Sequence, residues 1–220
     1  TAIVPVRPPR RGADAVSSAA RTPRLVLYGH SWVAGEAASR PERRLSDLVA
    51  AHLGMTPVNA AIGGSSASQT AALVRRDGVV HGEAYLILAG LNDARLHGTD
   101  PTALDAYSSA LETVVTACET AAPDALVLLV EQPPLLDYSR YPPHDKGSAA
   151  ALAAYNRRMG LTAERHRRVV LVHVDGWDPT TMLDDDTVHP NDLGHATLAG
   201  AATRAYLGAV TIGSTSPVHD

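Results

Sequence analysis

The chain has 220 residues, 45% of them hydrophobic and 19% charged, which suits one globular domain and excludes a wholly disordered chain or a coiled coil. Its net charge of -4 gives no electrostatic reason to bind nucleic acid, and no apolar run reaches the roughly 20 residues that a membrane helix needs. The one cysteine, Cys118, can form no internal disulfide and cannot by itself build a thiolate metal cage.

Residues 1–23 are rich in Pro, Arg and Ala without periodicity, and are expected to form an N-terminal extension in which Arg7, Arg10 and Arg11 belong to a solvated arm. From residue 24, strand-length apolar runs alternate with longer Ala/Leu/Arg segments. The runs are 24–29, 57–62, 84–90, 125–131 and 169–175, the last three nearly continuous in Val, Leu and Ile, as parallel strands covered on both faces require. Helices are expected near 41–53, 67–76, 101–121, 147–167 and 191–207. The clearest is 101–121, where Leu104, Tyr107, Leu111, Val114, Val115 and Cys118 recur at helical spacing behind Pro101. In 147–167, Leu152, Tyr155, Met159 and Leu161 are expected in the core, while Arg157, Arg158, Arg165, Arg167 and Arg168 read as a solvated helix end.

Five strand–helix alternations predict a three-layer α/β/α domain, a doubly wound, mainly parallel five-stranded sheet over 24–208, followed by a C-terminal tail, 209–220. The chain opens without the basic-then-apolar pattern of a signal peptide and has no cysteine pair. A cytoplasmic protein is therefore expected, with secretion after loss of a leader as the alternative.

Open parallel sheets bind ligands beyond the carboxyl ends of their strands, and four polar groups sit there in this sequence. Gly29-His30-Ser31-Trp32 follows the first strand; its serine is either an N-cap or, on a tight turn, an exposed nucleophile. Ile62-Gly63-Gly64-Ser65-Ser66 follows the second and can aim a main-chain N–H at an oxyanion, though it is also an ordinary turn. It lacks both the dinucleotide and the P-loop glycine patterns. Gly90-Leu91-Asn92-Asp93 follows the third, where Asn92 offers an uncharged amide donor or plain turn chemistry. After the fifth comes a run from Asp184 to Asn191, in which Asp186 stands three residues before His189 and can accept its Nδ1–H. A helix entry rich in carboxylates is the structural alternative. A metal site of Asp184, Asp185, Asp186, His189 and His195 is conceivable, but the spacing matches no metal motif.

Taken in order, these blocks resemble those of the SGNH (GDSL-type) hydrolases, named for their Ser, Gly, Asn and His. The resemblance covers 24 to about 207. Gly29-x-Ser31 matches the nucleophile block, Asn59 through Gly64 the glycine block, Gly90-x-Asn92-Asp93 the asparagine block, and Asp186-x-x-His189-Pro190 the last block. The family's first block usually reads Gly-Asp-Ser-Leu; here His30 stands where that Asp would be and Trp32 in place of the Leu. His30, adjacent to the nucleophile, is expected to point away from the turn, in a structural or substrate-edge role.

The resemblance implies a flavodoxin-like sheet and a serine esterase that works through an acyl-enzyme. Ser31, His189 and Asp186 would be catalytic; the N–H groups of Ser31 and Gly64 and the amide of Asn92 would form the oxyanion hole. It implies no metal and no organic cofactor. The expected partner is a small-molecule or carbohydrate ester, with a small acyl group on a polar alcohol or sugar. This follows from the absence of Phe and from the polar, proline-stiffened loop 132–144, in which Tyr138 and Tyr141 either stack on substrate or pack the loop. Three alternatives stay open: an acyltransferase using the same residues, a binding module on the same fold, and a nucleotide-binding flavodoxin-like protein.

Overall fold

The structure, a computed structural model, describes residues 21–214. The basic arm at Arg7, Arg10 and Arg11 and residues 215–220 of the expected tail lie outside the described residues. The sheet has five parallel strands, β1 (Arg24–Gly29), β2 (Thr56–Asn59), β3 (Ala84–Leu88), β4 (Leu126–Val130) and β5 (Val169–Val172), in the order β2-β1-β3-β4-β5. Among the described residues, eight α-helices accompany them: α1 (Ser31–Ala34), α2 (Leu45–Leu53), α3 (Ala67–Asp77), α4 (Leu91–His97), α5 (Pro101–Ala121), α6 (Ala149–Arg165), α7 (Pro179–Met182) and α8 (Asp192–Ser214). This is the α/β doubly wound architecture that the alternation predicts, a three-layer α/β/α stack.

Period-two alternation builds both cores from one sheet. Val26 and Tyr28 of β1, Tyr85 and Ile87 of β3 and Val127 and Leu129 of β4 face α3, α5 and α6. Their neighbours Leu25, Leu27, Leu86, Leu88, Leu128 and Val130 face the other way, onto Trp32, Leu45, Val49, Leu198 and Ala202 of α1, α2 and α8. Each such buried side chain contributes about 1.5–3 kcal/mol relative to exposure, so the apolar runs of the central strands dominate the stability. Cys118 sits in the first core, and burial pushes its thiol up to about 12.

Several expected elements differ in detail. The segment 41–53 breaks at Arg44, whose ψ of 147° is extended, into a 3₁₀ turn (Pro41–Arg43) and α2. Strand β2 ends at Asn59, although the Ala60 and Ile62 N–H groups still donate to the Leu27 and Gly29 carbonyls of β1 at 2.9 and 3.0 Å. Helix α8 runs through the boundary drawn at 208, since a helix interior tolerates a glycine such as Gly208 at a cost of about 1 kcal/mol. Leu161 is exposed, not core: Leu152, Tyr155 and Met159 share one face of α6, and Leu161 lies two residues past Met159 on the far side. The basic end of α6 is an ion-paired seam, not simply a solvated face. Arg158 meets Asp105 at 3.0 Å, Arg165 pairs with Glu112, and His166 bridges Glu112 and Glu119 at 2.8 Å each.

The strand order places the site. The chain leaves β1 for β2 at one edge, then returns past β1 to β3, and the crevice at this reversal opens over the carboxyl ends of β1 and β3. Those ends carry Gly29-His30-Ser31 and Gly90-Leu91-Asn92. From β5 at the far edge, the chain recrosses the sheet before α8 packs on α2, and residues 183–191 lie on that crossing.

Candidate active site

Ser31 opens α1 directly after β1. Gly29 has φ +147°, and a Cβ there would strike the Leu88 carbonyl of the neighbouring strand and the Val33 side chain. Only glycine lets the chain turn so sharply beside β3. His30 caps the helix: its Nδ1 accepts from the Trp32 N–H at 3.4 Å, and its Nε2–H donates to Gln132 Oε1 at 3.0 Å. It is buried, and burial pulls its pKa from 6.5 down to about 4 despite the Gln132 bond, so it is a neutral brace beneath the turn. A substrate-edge position is excluded by that burial.

The loop carrying His189 is closed by an antiparallel bridge between Leu183 and Pro190 and by the Asp184 N–H donating to the His189 carbonyl at 2.8 Å. Inside it, Asp186 Oδ1 accepts the N–H groups of Val188 and His189 at 2.8 and 2.9 Å, which leaves Oδ2 for His189 Nδ1 at 2.5 Å. Burial raises the Asp186 carboxyl, but these hydrogen bonds outweigh it and hold the pKa below the ordinary aspartate value. The carboxylate therefore accepts Nδ1–H, and the lone pair of Nε2 faces Ser31 Oγ at 3.0 Å. Hydroxyl, imidazole and carboxylate form one hydrogen-bonded chain.

Trp32, on the residue after the serine, locks the two loops together. Its indole N–H donates to the Val188 carbonyl at 2.9 Å, and its ring stacks on Trp177 at 5.2 Å. The Ser31 turn and the histidine loop are thus joined through one fully buried side chain. The sequence singles out Trp32 only as a departure from the family block.

The expected oxyanion donors lie on neighbouring elements. Asn92 is buried on the first turn of α4; one amide N–H donates to the Ser65 carbonyl at 3.0 Å, which leaves the second for the pocket. Gly64 has φ +73°, and its N–H makes no hydrogen bond to another described residue. Its turn is fixed from both sides. Ser65 Oγ donates to the Gly29 carbonyl at 3.1 Å, and the buried Asp93 accepts the Ala67 N–H at the start of α3. Asn59, at the head of the glycine block, donates to the Val33 carbonyl at 2.7 Å and so ties that block to α1.

Ser31, Gly64, Asn92, Asp186 and His189 all line one pocket of about 300 Å³, together with Glu36, Arg95, Tyr141, His144 and Val188. Glu36 and Arg95 were not legible as site residues. Glu36 Oε2 lies 3.1 Å from His189 Nε2, beside Ser31, where it can accept a proton-bearing Nε2 but not a bare lone pair. Arg95 follows Asn92 by one helical turn, and its side chain is buried against the pocket. Tyr141 donates to the Asp186 carbonyl at 3.0 Å and, with Arg140 donating to Thr187, clips loop 132–144 onto the histidine loop. The two tyrosines of that loop divide their uses: Tyr141 lines the pocket, and Tyr138 accepts the Leu135 N–H and packs on the core. His195 is not part of the site. Its Nδ1 accepts the Leu45 N–H and its Nε2–H donates to the Glu36 carbonyl, so both ring nitrogens brace α8 against the 36–45 segment. Among the described residues, no group of three or more His, Cys, Asp or Glu is placed to hold a metal. No described helix is long and apolar enough to cross a membrane.

Comparison with known proteins bears on the whole chain. Similar solved structures include the salicylyl-acyltransferase SsfX3 from a tetracycline biosynthetic pathway, at TM-score 0.67 and 18% identity over 91% of this chain. This chain spans 57% of that protein's length. A carbohydrate esterase family 2 enzyme from Corynascus thermopiles (Myceliophthora fergusii) aligns at TM-score 0.68 and 19% identity, over 94% of this chain and 69% of its own. A family two carbohydrate esterase from Clostridium thermocellum aligns at TM-score 0.67 and 13% identity, over 86% of this chain and 64% of its own. At such identities the likeness concerns the fold. A comparison with curated proteins finds no match. The family assignment rests on the sequence itself: residues 27–197, from the second half of β1 into α8, match the family model, and the chain belongs to the GDSL-like lipase/acylhydrolase family.

Proposed function

We propose that the chain is a serine esterase that hydrolyses a carboxylic ester through an acyl-enzyme on Ser31. The observation that carries this reading is the unbroken chain from Ser31 Oγ to His189 Nε2 at 3.0 Å and from His189 Nδ1 to Asp186 Oδ2 at 2.5 Å, inside a pocket lined by Asn92 and Gly64. Ser31 Oγ attacks the ester carbonyl while His189 Nε2 takes its proton, and Asp186 stabilises the imidazolium through Nδ1–H. The proton now on Nε2 also faces the Glu36 carboxylate. The developing oxyanion is met by the N–H groups of Ser31 and Gly64 and the free amide N–H of Asn92. Collapse expels the alcohol, which takes its proton from His189. Water, deprotonated by His189, then attacks the acyl-serine, releasing the carboxylic acid and restoring Ser31.

A pocket of about 300 Å³ is at the small end for ligand sites, which supports a short acyl group in preference to a long lipid chain. The likeness to carbohydrate esterases supports a polar alcohol or sugar as the other half of the ester. The likeness to an acyltransferase favours a second reading, in which an alcohol takes the place of water at the last step. Product analysis with a polyol present separates the two, since transfer yields a new ester.

Ser31→Ala tests the reading. We expect hydrolysis of short-chain esters to fall by at least about a thousand-fold with the unfolding midpoint nearly unchanged, because the hydroxyl is small and, among the described residues, bonded only to His189. Retained turnover in a folded variant would overturn it.

A further inference from the structure

Among the described residues, Arg95 is a buried cation without a partner. Its residue is 6% exposed, its Nε is fully enclosed with no hydrogen-bond partner, and its guanidinium makes no hydrogen bond or ion pair to any other described residue. Arginine side chains are rarely buried unless paired, because removing the charge from water is costly without an opposing group. The fold holds this one in place nevertheless. Gly147 lies against its stem, where a Cβ would meet Arg95 Cγ at 3.2 Å, and the Arg95 carbonyl accepts the Lys146 N–H at 2.9 Å.

The guanidinium looks into the pocket that holds Ser31, Asn92 and His189. Asn92 and Arg95 are three residues apart on α4 and so share a face, which puts the cation one helical turn beyond the amide donor. The groups around it do not neutralise it. Asp186 lies close enough to act on it through space, but its oxygens are occupied by Val188 N–H, His189 N–H and His189 Nδ1. The Tyr141 hydroxyl is committed to the Asp186 carbonyl. His144 is uncharged-leaning: burial lowers its pKa, and Arg95 lowers it further. The other carboxylate on the pocket wall, Glu36, is turned to His189.

We propose that Arg95 is a substrate-binding residue that selects esters carrying a carboxylate, its planar fork taking the two oxygens side by side while the ester carbonyl sits at Ser31. This rests on the esterase reading for the identity of the ligand as a substrate. A carboxylate matches the fork and is small enough to sit beside an ester in a pocket of about 300 Å³. It can belong to the acyl half of the ester or to its alcohol half, and the two sources are separable.

The experiment compares matched pairs. For the acyl half the pair is monomethyl succinate and its neutral amide, methyl succinamate; for the alcohol half it is 4-acetoxybenzoate and 4-acetoxybenzamide. In the wild type, kcat/KM for the carboxylate member of at least one pair should exceed that of the amide member by about tenfold or more. That ratio should collapse toward one in Arg95→Met and be partly kept in Arg95→Lys, which retains the charge without the fork. The responsive pair names the half that carries the anion. A wild-type ratio near one in both pairs, or the same ratio in Arg95→Met, would overturn the proposal.

Binding without turnover separates this inference from the reading it rests on. In Ser31→Ala, succinate or benzoate should raise the unfolding midpoint, and the rise should vanish when Arg95→Met is added. That shift, found together with a wild type that cleaves no ester, would keep the anion site and sink the esterase. Ser31-dependent hydrolysis with no carboxylate preference and no such shift would do the reverse.

Discussion

Replacing Asn92 by alanine separates the two uses of one amide. In the folded protein one N–H of Asn92 donates to the Ser65 carbonyl at 3.0 Å, and the other is the one proposed to meet the oxyanion. Alanine removes both. The first loss strands a carbonyl in a buried turn, for which about 1–2 kcal/mol of stability is expected. The second removes one of three donors aimed at charge that exists only after Ser31 attacks, which costs about 2.7–4 kcal/mol of transition-state stabilisation, or roughly 100- to 1,000-fold in kcat. The two effects are measured independently: urea unfolding gives the first, and steady-state kinetics on a short-chain ester gives the second. KM should change little, because a ground-state ester oxygen carries no full charge. A kcat within about threefold of wild type in a folded Asn92→Ala variant, or a loss confined to KM, would refute the assignment of Asn92 as an oxyanion donor.

Two further expectations concern the supports of the site. His30 binds a proton less readily folded, with a pKa of about 4, than unfolded, near 6.5, so its contribution to stability is full above about pH 6.5 and is lost as the pH falls toward 4. The shift corresponds to about 3 kcal/mol. The loss of unfolding free energy between about pH 7.5 and about pH 4 should therefore be smaller by about that amount in His30→Gln; equal pH slopes in the two proteins would contradict the buried, neutral assignment. Trp32→Phe removes the donor to the Val188 carbonyl and leaves a space beside Trp177, so stability should fall by about 2 kcal/mol. Because Val188 precedes His189, kcat should fall on the order of tenfold as well. Lost stability with unchanged kcat would show that the histidine loop is positioned by its internal bonds alone.

What could be read from the sequence follows from the range of the interactions involved. Strands β3 and β4 announce themselves because both faces are buried, and α5 because Pro101 and a long apolar period mark its start and its inner face, whereas β5, read from the same apolar pattern, lies at the sheet edge and is only partly buried. Asp186 and His189 are legible because their contact is local, three residues apart in one turn. Helices α1, α4 and α7, of four, seven and four residues, are too short to carry a period. Glu36 and Arg95 are illegible for another reason: a charged residue on a helix or turn is taken as solvated, and only the packing of loop 132–148 over α4 buries Arg95. The same packing decides between Tyr138 and Tyr141, which are equivalent as letters and opposite in use.

The central claim is that Ser31 is the nucleophile and His189 the base that activates it. Reaction with a fluorophosphonate, followed by peptide mass spectrometry, tests this most directly. The account predicts one covalent adduct, on the peptide bearing Ser31, forming at a rate that drops by at least about a hundred-fold in His189→Ala. An adduct on another residue, or labelling of Ser31 at the same rate without His189, would contradict it.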